Sequence, residues 1–271
     1  MVLSVHTNQG ALIALQALNK TNSQLDQTTL RVSTGFKVNG AKDDASTFAI
    51  AQRMRADVAG FGSVKTRLAE GVATLDTAIS ASESISDLLI EMKAKAVQAN
   101  QAGLTSATHA ALDADYQALL NQITSIVSTA AFNGVNLVDS SAVGFKVLSD
   151  INGATLNFTP GKLDIATLGI SGGALSSASA AATAVTAVDA AIDQVNLEIA
   201  NQGAFSRALN IQNNFITKLV DTLSTGIGNL VDADLALESA KLQSLQIRQQ
   251  LGVQALSIAN ASPQSVLGLF G

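Results

Sequence analysis

Apolar residues recur at steps of three, four and seven along most of this chain, and only one short stretch alternates with a period of two. From about Val5 to Ser33, the spacing of Leu12, Leu15, Leu18 and Leu25 predicts a helix. The run Thr34-Gly35-Phe36-Lys37-Val38-Asn39-Gly40 interrupts it, because Asn-Gly favours a turn. Asp43 or Asp44 then stands where a carboxylate can cap a new helix by accepting bonds from its first backbone N–H groups. From Ala45 to about Asn100 there is no proline and only scattered glycine. At a rise of about 1.5 Å per residue this predicts a helix on the order of 80 Å long. A globular core needs nothing of that length, so the expectation is an elongated rod.

Gln101-Ala102-Gly103 breaks the pattern, and a third helix is expected from about Ser106 to Thr129, with Leu112, Leu119, Leu120, Ile123, Ile126 and Val127 on one broad face. Asn133-Gly134 follows. In the period-two stretch, Phe145, Val147, Leu156 and Phe158 flank Asn152-Gly153, which predicts a hairpin with a primed turn. Ser176 to about Thr225 returns to helix through Val185, Val188, Ile192, Val195 and Ile199. Gly226-Ile227-Gly228 reads as a hinge. A last helix is expected from Val231 to about Ala259, with Asp232 and Asp234 in its first turn, where the helix dipole favours negative charge. Pro263 then opens a short terminal turn of helix.

That last helix carries two heptad series, Leu230, Leu237, Leu251, Ile258 and Leu235, Leu242, Leu256, which together make a wide apolar face. The fold class is mainly α, an elongated rod of long antiparallel helices with paired terminal helices and a small β-hairpin region. Residues 1–35 with 226–271 are expected to form an inner terminal-helix domain. Residues 36–225 form a helical rod domain with a small β element at about 132–172.

Composition sharpens this plan. Hydrophobic residues are 47% of the 271, but aromatics are 4% and Trp is absent, so alanine lets helices pack closely. Charged residues are 14%, against roughly a quarter in an ordinary domain. So few charges oppose association only weakly, which favours a subunit that buries surface against copies of itself. Met1 to Asn19 and Gln249 to Gly271 contain no Asp, Glu, Lys or Arg. The apolar faces of Met1 to Ser33 and Leu230 to Gly271 are too wide for one partner helix, which makes Leu12, Leu15, Leu18, Leu25, Leu235, Leu242, Leu245, Leu251 and Leu256 the candidate self-assembly residues.

Other function classes fall away. The net charge of −5 with scattered Lys and Arg offers no basic stripe, and the single Tyr116 offers no stacking platform, so nucleic-acid binding is excluded. There are no cysteines, hence no disulfide, thiolate metal site or cysteine nucleophile. The first residues are neither a secretory signal nor a membrane helix, and the charge-free run Ile165–Val188 is too weakly apolar to span a bilayer. His6 and His109 stand far apart and read as structural. Asp43-Asp44 is a cap rather than a catalytic pair, and Gly172-Gly173 lacks the lysine and spacing of a phosphate loop. No catalytic, metal or cofactor residue is expected, and the chain is not an enzyme.

Specific motifs then carry a resemblance. Thr7-Asn8, Leu18-Asn19-Lys20, Arg31-Val32-Ser33-Thr34-Gly35 and Asn39-Gly40-Ala41-Lys42-Asp43-Asp44-Ala45 followed by Ala49-Ile50-Ala51 resemble the amino-terminal pattern of bacterial flagellins. So do Ala96-Val97-Gln98-Ala99-Asn100 and Phe132-Asn133-Gly134. Asp232-Ala233-Asp234, Glu238-Ser239, Gln249-Gln250-Leu251-Gly252, Ala259-Asn260 and Leu267-Gly268-Leu269-Phe270 resemble the carboxy-terminal region. The resemblance covers about residues 1–140 and 180–271. It implies a secreted subunit of the extracellular flagellar filament, exported unfolded through the flagellar type III apparatus and polymerising with itself or with other flagellins. An export chaperone and the hook-associated and cap proteins are the implied partners. The short middle implies that outer β domains are absent, as in alphaproteobacterial flagellins. The alternative is a hook–filament junction protein, which shares related terminal helices. O-glycosylation, as on some short flagellins, would fall on Thr105, Ser106, Thr108, Ser176 and Ser177, where hydroxyls are dense and charges few.

Overall fold

The computed structural model describes residues 7–267, with side chains as far as Ala261; Val5 and His6 lie outside the described residues. Five helices dominate: α1 Gln9–Thr34, α2 Ala45–Ala99, α3 Ser106–Thr129, α4 Ala178–Val231 and α5 Leu235–Leu267. Two antiparallel strand pairs lie between α3 and α4: β1 Ala131–Phe132 with β2 Val135–Asn136, and β3 Phe145–Leu148 with β4 Thr155–Phe158. The class is mainly α, as the periodicity predicts. Two compact units result, one taking the chain up to Ala56 together with the chain from Thr222 on, the other running from Asp57 to Asp221.

In the unit from Asp57 to Asp221, buried positions on α2 step by threes and fours from Phe61 through Leu68, Leu75, Ser82, Ile85, Leu89 and Met92 to Ala99. Those on α4 do the same from Ala181 through Val188, Val195 and Glu198 to Gln202, and then step by sevens to Leu209 and Ile216. A period near 3.5 is the seam of a coiled coil, in which small and branched residues alternate across the interface. The two seams run antiparallel, since Ser82 meets Gln202 and Lys93 pairs with Asp189 at 2.6 Å. Helix α3 adds the buried face His109, Leu112, Tyr116, Leu120, Ile123 and Val127. It starts on Thr105, whose hydroxyl accepts from the Thr108 amide at 3.2 Å. Its far end is closed by Asn136, which donates to Val127 O at 2.7 Å while accepting from the Val138 and Asp139 amides.

The β region departs from the sequence expectation in its turns. The primed two-residue turn belongs to β1–β2, where Asn133 (φ 48) and Gly134 (φ 80) both take the left-handed region that such a turn requires. The β3–β4 hairpin forms, but with Phe145 opposite Phe158 and Val147 opposite Leu156, whereas a two-residue Asn152-Gly153 turn would set Val147 opposite Phe158. Its loop, however, is longer: the Gly153 amide bonds back to Asp150 O at 3.3 Å and only Gly153 has positive φ. Asp150 explains the choice, because its carboxylate takes the Asn152 side-chain amide at 2.8 Å and holds an ordinary turn.

In the other unit, Gly35 ends α1 in the left-handed conformation, its N–H bonding to Arg31 O. Asp44, not Asp43, caps α2, accepting from the Ser46 and Thr47 amides at 3.0 Å each. Asp43 instead accepts from Asn39 and Gly40. The expected hinge at Gly226-Ile227-Gly228 is absent, and α4 runs unbroken to Val231. Two helical glycines cost about 1 kcal/mol each relative to alanine. The cost is offset because Ile227, Leu230 and Val231 pack with Val38, Ala51, Phe36 and Phe48 into one apolar cluster. The break falls at Asp232-Ala233 instead, where the Lys37 and Val38 amides bond to Val231 O and Ala233 bonds to Gly35 O. Asp232 therefore lies beyond α4 rather than inside the last helix, and Asp234 is the cap of α5, accepting from Ala236 and Leu237. Helix α5 continues through Pro263 to Leu267 instead of stopping near Ala259.

Candidate assembly surface

Helices α1 and α5 pack antiparallel. Asn8, the cap of α1, donates to Ala259 O at 2.7 Å; Gln249 donates to Asn22 at 2.8 Å; Arg31 reaches Glu238 at 3.4 Å. Gly252 makes the crossing close, because a Cβ there would stand 3.2 Å from Leu18 Cδ1. The polar lock of the pair is Glu238, 5% exposed, whose Oε1 also takes Lys241 Nζ at 2.9 Å. The Lys241 hydrogen bond first, then the charges of Lys241 and Arg31, hold its carboxyl below the ordinary glutamate value against the opposing effect of burial.

The nine candidate leucines divide between the seam and the outside. Leu245 is buried, and Leu18, Leu25, Leu242 and Leu256 are half-buried along the α1–α5 seam. Leu12, Leu15, Leu235 and Leu251 point outward, at 58%, 43%, 50% and 58% exposure. Ile13, Leu30, Leu237, Ile247, Val253 and Ile258 are equally outward and were not among the candidates. Leu237, Ile247, Leu251 and Ile258 share one face of α5, a signal that the heptad series of Leu237, Leu251 and Ile258 carried in part. Leu12, Leu15 and Leu30 share a flank of α1, and Leu235 and Val253 share another face of α5. Each helix thus keeps apolar surface beyond its one partner.

Elsewhere the polar candidates are ordinary. Thr105, Ser106, Thr108, Ser176 and Ser177 are all exposed, with Thr105 capping α3 and Ser177 capping α4. His109 is buried, its Nδ1 2.8 Å from Leu175 O, and holds the 173–175 segment together with Asp113 and Gln117. Among the described residues no group of three carboxylates or histidines converges as a metal site, and no helix is long and apolar enough to cross a membrane.

A mainly α chain whose end helices pair while displaying rows of leucine and isoleucine is a subunit of a helical structural assembly. Family models place it: one described as the bacterial flagellin N-terminal helical region matches residues 5–142, and one described as the bacterial flagellin C-terminal helical region matches residues 185–270. The chain belongs to the bacterial flagellin family. It is similar to Flagellin FljM of Caulobacter vibrioides, at 43% identity over 98% of each chain. It is similar also to a flagellin of Brucella melitensis, at 34% over 98% of this chain and 99% of that one. The crystal structure of Bacillus cereus flagellin matches 55% of this chain and 88% of its own, with a TM-score of 0.51 and 26% identity. A flagellar hook-associated protein from Vibrio parahaemolyticus shares the fold alone, at TM-score 0.59 and 11% identity over 70% of this chain and all of that one. The chain is a structural subunit of the extracellular flagellar filament, which polymerises with itself, and it is not an enzyme.

Proposed function

We propose that copies of this chain polymerise through the outward apolar faces of α1 and α5. The observation that carries this reading is the exposure of Leu12, Leu251 and Ile258, at 58%, 58% and 71%, on helices that already have a partner. A large aliphatic side chain is worth roughly 1.5–3 kcal/mol when fully buried, so a few such residues per face supply a strong drive to associate. An export chaperone covers α5 before the unfolded chain passes through the flagellar type III apparatus, which keeps the same faces from associating early. Hook-associated and cap proteins meet these faces at the two ends of the polymer, and other flagellins with matching faces co-polymerise. Exposed hydroxyls at Thr105, Ser106, Thr108, Ser176 and Ser177 accept O-linked sugars, which hydrate a surface short of charge; a native subunit mass equal to that of the bare polypeptide rejects this.

The deciding experiment uses Leu12→Asp with Leu251→Asp, both outward. The double variant is expected to keep its far-ultraviolet helicity and remain a soluble monomer, with no filaments by electron microscopy. Filaments of normal length from that variant would overturn the proposal. Leu242→Asp and Leu256→Asp make a weaker test, because those residues are half-buried against α1 and the helix pair itself would be lost.

A further inference from the structure

The two helices of the long seam, both in the unit from Asp57 to Asp221, each keep a second face turned away from it. The two faces differ in charge. On α4, Leu197, Ala204 and Ile211 follow one another at seven-residue spacing, and Phe215 stands one turn beyond Ile211. Leu197, Ile211 and Phe215 are 64%, 70% and 57% exposed, although the same helix already buries Val195, Gln202, Leu209 and Ile216. Asp193 bounds this face at one end and Lys218 at the other; between Glu198 and Lys218 the single charged residue of α4 is Arg207, which is exposed. On α2, Asp76, Glu83, Ile90 and Val97 make another row at seven-residue spacing, and all four are exposed. Asp87 and Glu91 flank that row, exposed as well, and no Lys or Arg occurs between Arg67 and Lys93. The ion pairs of α2 are made elsewhere, Arg67 with Glu70, Lys93 with Asp189 and Lys95 with Asp115. Among the described residues no ion pair engages Arg207 or any of the acids Asp76, Glu83, Asp87 and Glu91.

We propose that the outward face of α4 in one copy packs on the outward face of α2 in the next, as a second contact of the polymer beside that of the terminal helices. Ile211 and Phe215 meet the Ile90–Val97 end of the row, and Arg207 is set against the acids around it. Charge selects this pairing over the alternatives. A face of α4 on a second α4 brings Arg207 to Arg207, and a face of α2 on a second α2 brings four acids to four, whereas the mixed pairing opposes the repulsion among the acids. Isolated aliphatic side chains are common on any protein surface. Here they form rows, and the two rows carry opposite charge in a chain that has little charge to spend. Two unlike faces make a heterologous contact, which repeats around a ring or along an open helix instead of closing as a two-fold dimer. The inference rests on the chain's polymerising with itself, and not on which faces of α1 and α5 do so.

The chain contains no cysteine, which leaves a clean background for cross-linking in filaments of the full-length protein. Filaments grown from a mixture of Ile211→Cys and Ile90→Cys chains should give a covalent dimer with a short bismaleimide, and filaments of either variant alone should give none. A mixture that yields no dimer, or single variants that yield as much as the mixture, would overturn the proposal. Charge gives an independent arm. Arg207→Glu should raise the monomer concentration left in equilibrium with filaments by about tenfold, and adding Glu83→Lys with Asp87→Lys should bring it back to within about twofold. Thermal unfolding of the monomer should be unchanged, because all three side chains are exposed. If Arg207→Glu assembles as the natural chain does while Leu12→Asp with Leu251→Asp does not, this contact is absent and the terminal-helix reading stands.

Discussion

Single residues in this protein do most where backbone or charge is brought unusually close. Gly71 sits in the α2 seam, and a Cβ there would meet Val147 at 2.8 and 3.1 Å and Leu209 at 3.2 Å. Replacing a helical glycine by alanine normally gains about 1 kcal/mol. Here two stiff, β-branched methyls and a packed leucine must move, an overpacking cost of roughly 1–3 kcal/mol. Gly71→Ala is therefore expected to lower the urea midpoint, and a midpoint at or above that of the natural chain would show that β3 shifts freely. Glu238 works through charge. Its carboxyl is held below 4.5, so its contribution is present above that pH and is lost as pH falls through the folded value. Glu238→Gln should weaken the α1–α5 pair by about 1–2 kcal/mol at neutral pH, a modest figure because Arg31 and Lys241 are partly exposed. The deficit should vanish in acid, which thermal unfolding across pH would reveal.

Whole elements here are decided by competition between local signals and packing. Asn133-Gly134 and Asn152-Gly153 look alike in sequence, yet only the first pair takes left-handed φ at both residues. Asn133→Ala should cost the β1–β2 hairpin about 1 kcal/mol, since alanine in that region lacks the local hydrogen bond that asparagine makes. Asn152→Ala should cost less, about half as much, because Asn152 keeps negative φ and loses only an exposed side-chain bond to Asp150. Equal losses from the two, measured by denaturant titration, would mean that the turns are not distinct. Helix α4 shows the reverse case. Glycines at 226 and 228 predict a break, but the cluster around Val231 carries the helix past them. In α1 and α5 the periodicity was plain, whereas its division into seam and outward faces was not, because a leucine row alone does not say which neighbour it meets.

For the whole molecule, the low charge content and the outward leucines point to the same behaviour. The α1–α5 pair buries one seam and leaves Leu12, Ile13, Leu235 and Leu251 in water. Helices with so little tertiary support are marginal before assembly. Limited proteolysis of monomer should therefore cut both ends first and leave a resistant core near Asp57–Asp221, the unit with the long coiled-coil seam. In filaments the same sites should resist cleavage. Ends as resistant as that core in the monomer would mean that the pair is self-sufficient and assembly needs no coupled folding.

The sequence by itself determined the helical class, the bounds of α3 and the existence of the β3–β4 hairpin, because those follow from periodicity and turn residues. It also carried the terminal motifs that identify the family. Tertiary structure alone decided that α4 runs through its glycines, that Asp44 rather than Asp43 caps α2, and that Leu242 faces α1 while Leu251 faces outward. It alone placed Glu198 beneath Gly161, residues far apart in the chain. The division has one physical cause: local propensity is set by neighbours in sequence and amounts to about 1 kcal/mol per residue. Burial, charge pairing and the space left for a Cβ are set by neighbours in space, and where they disagree with propensity they are large enough to win.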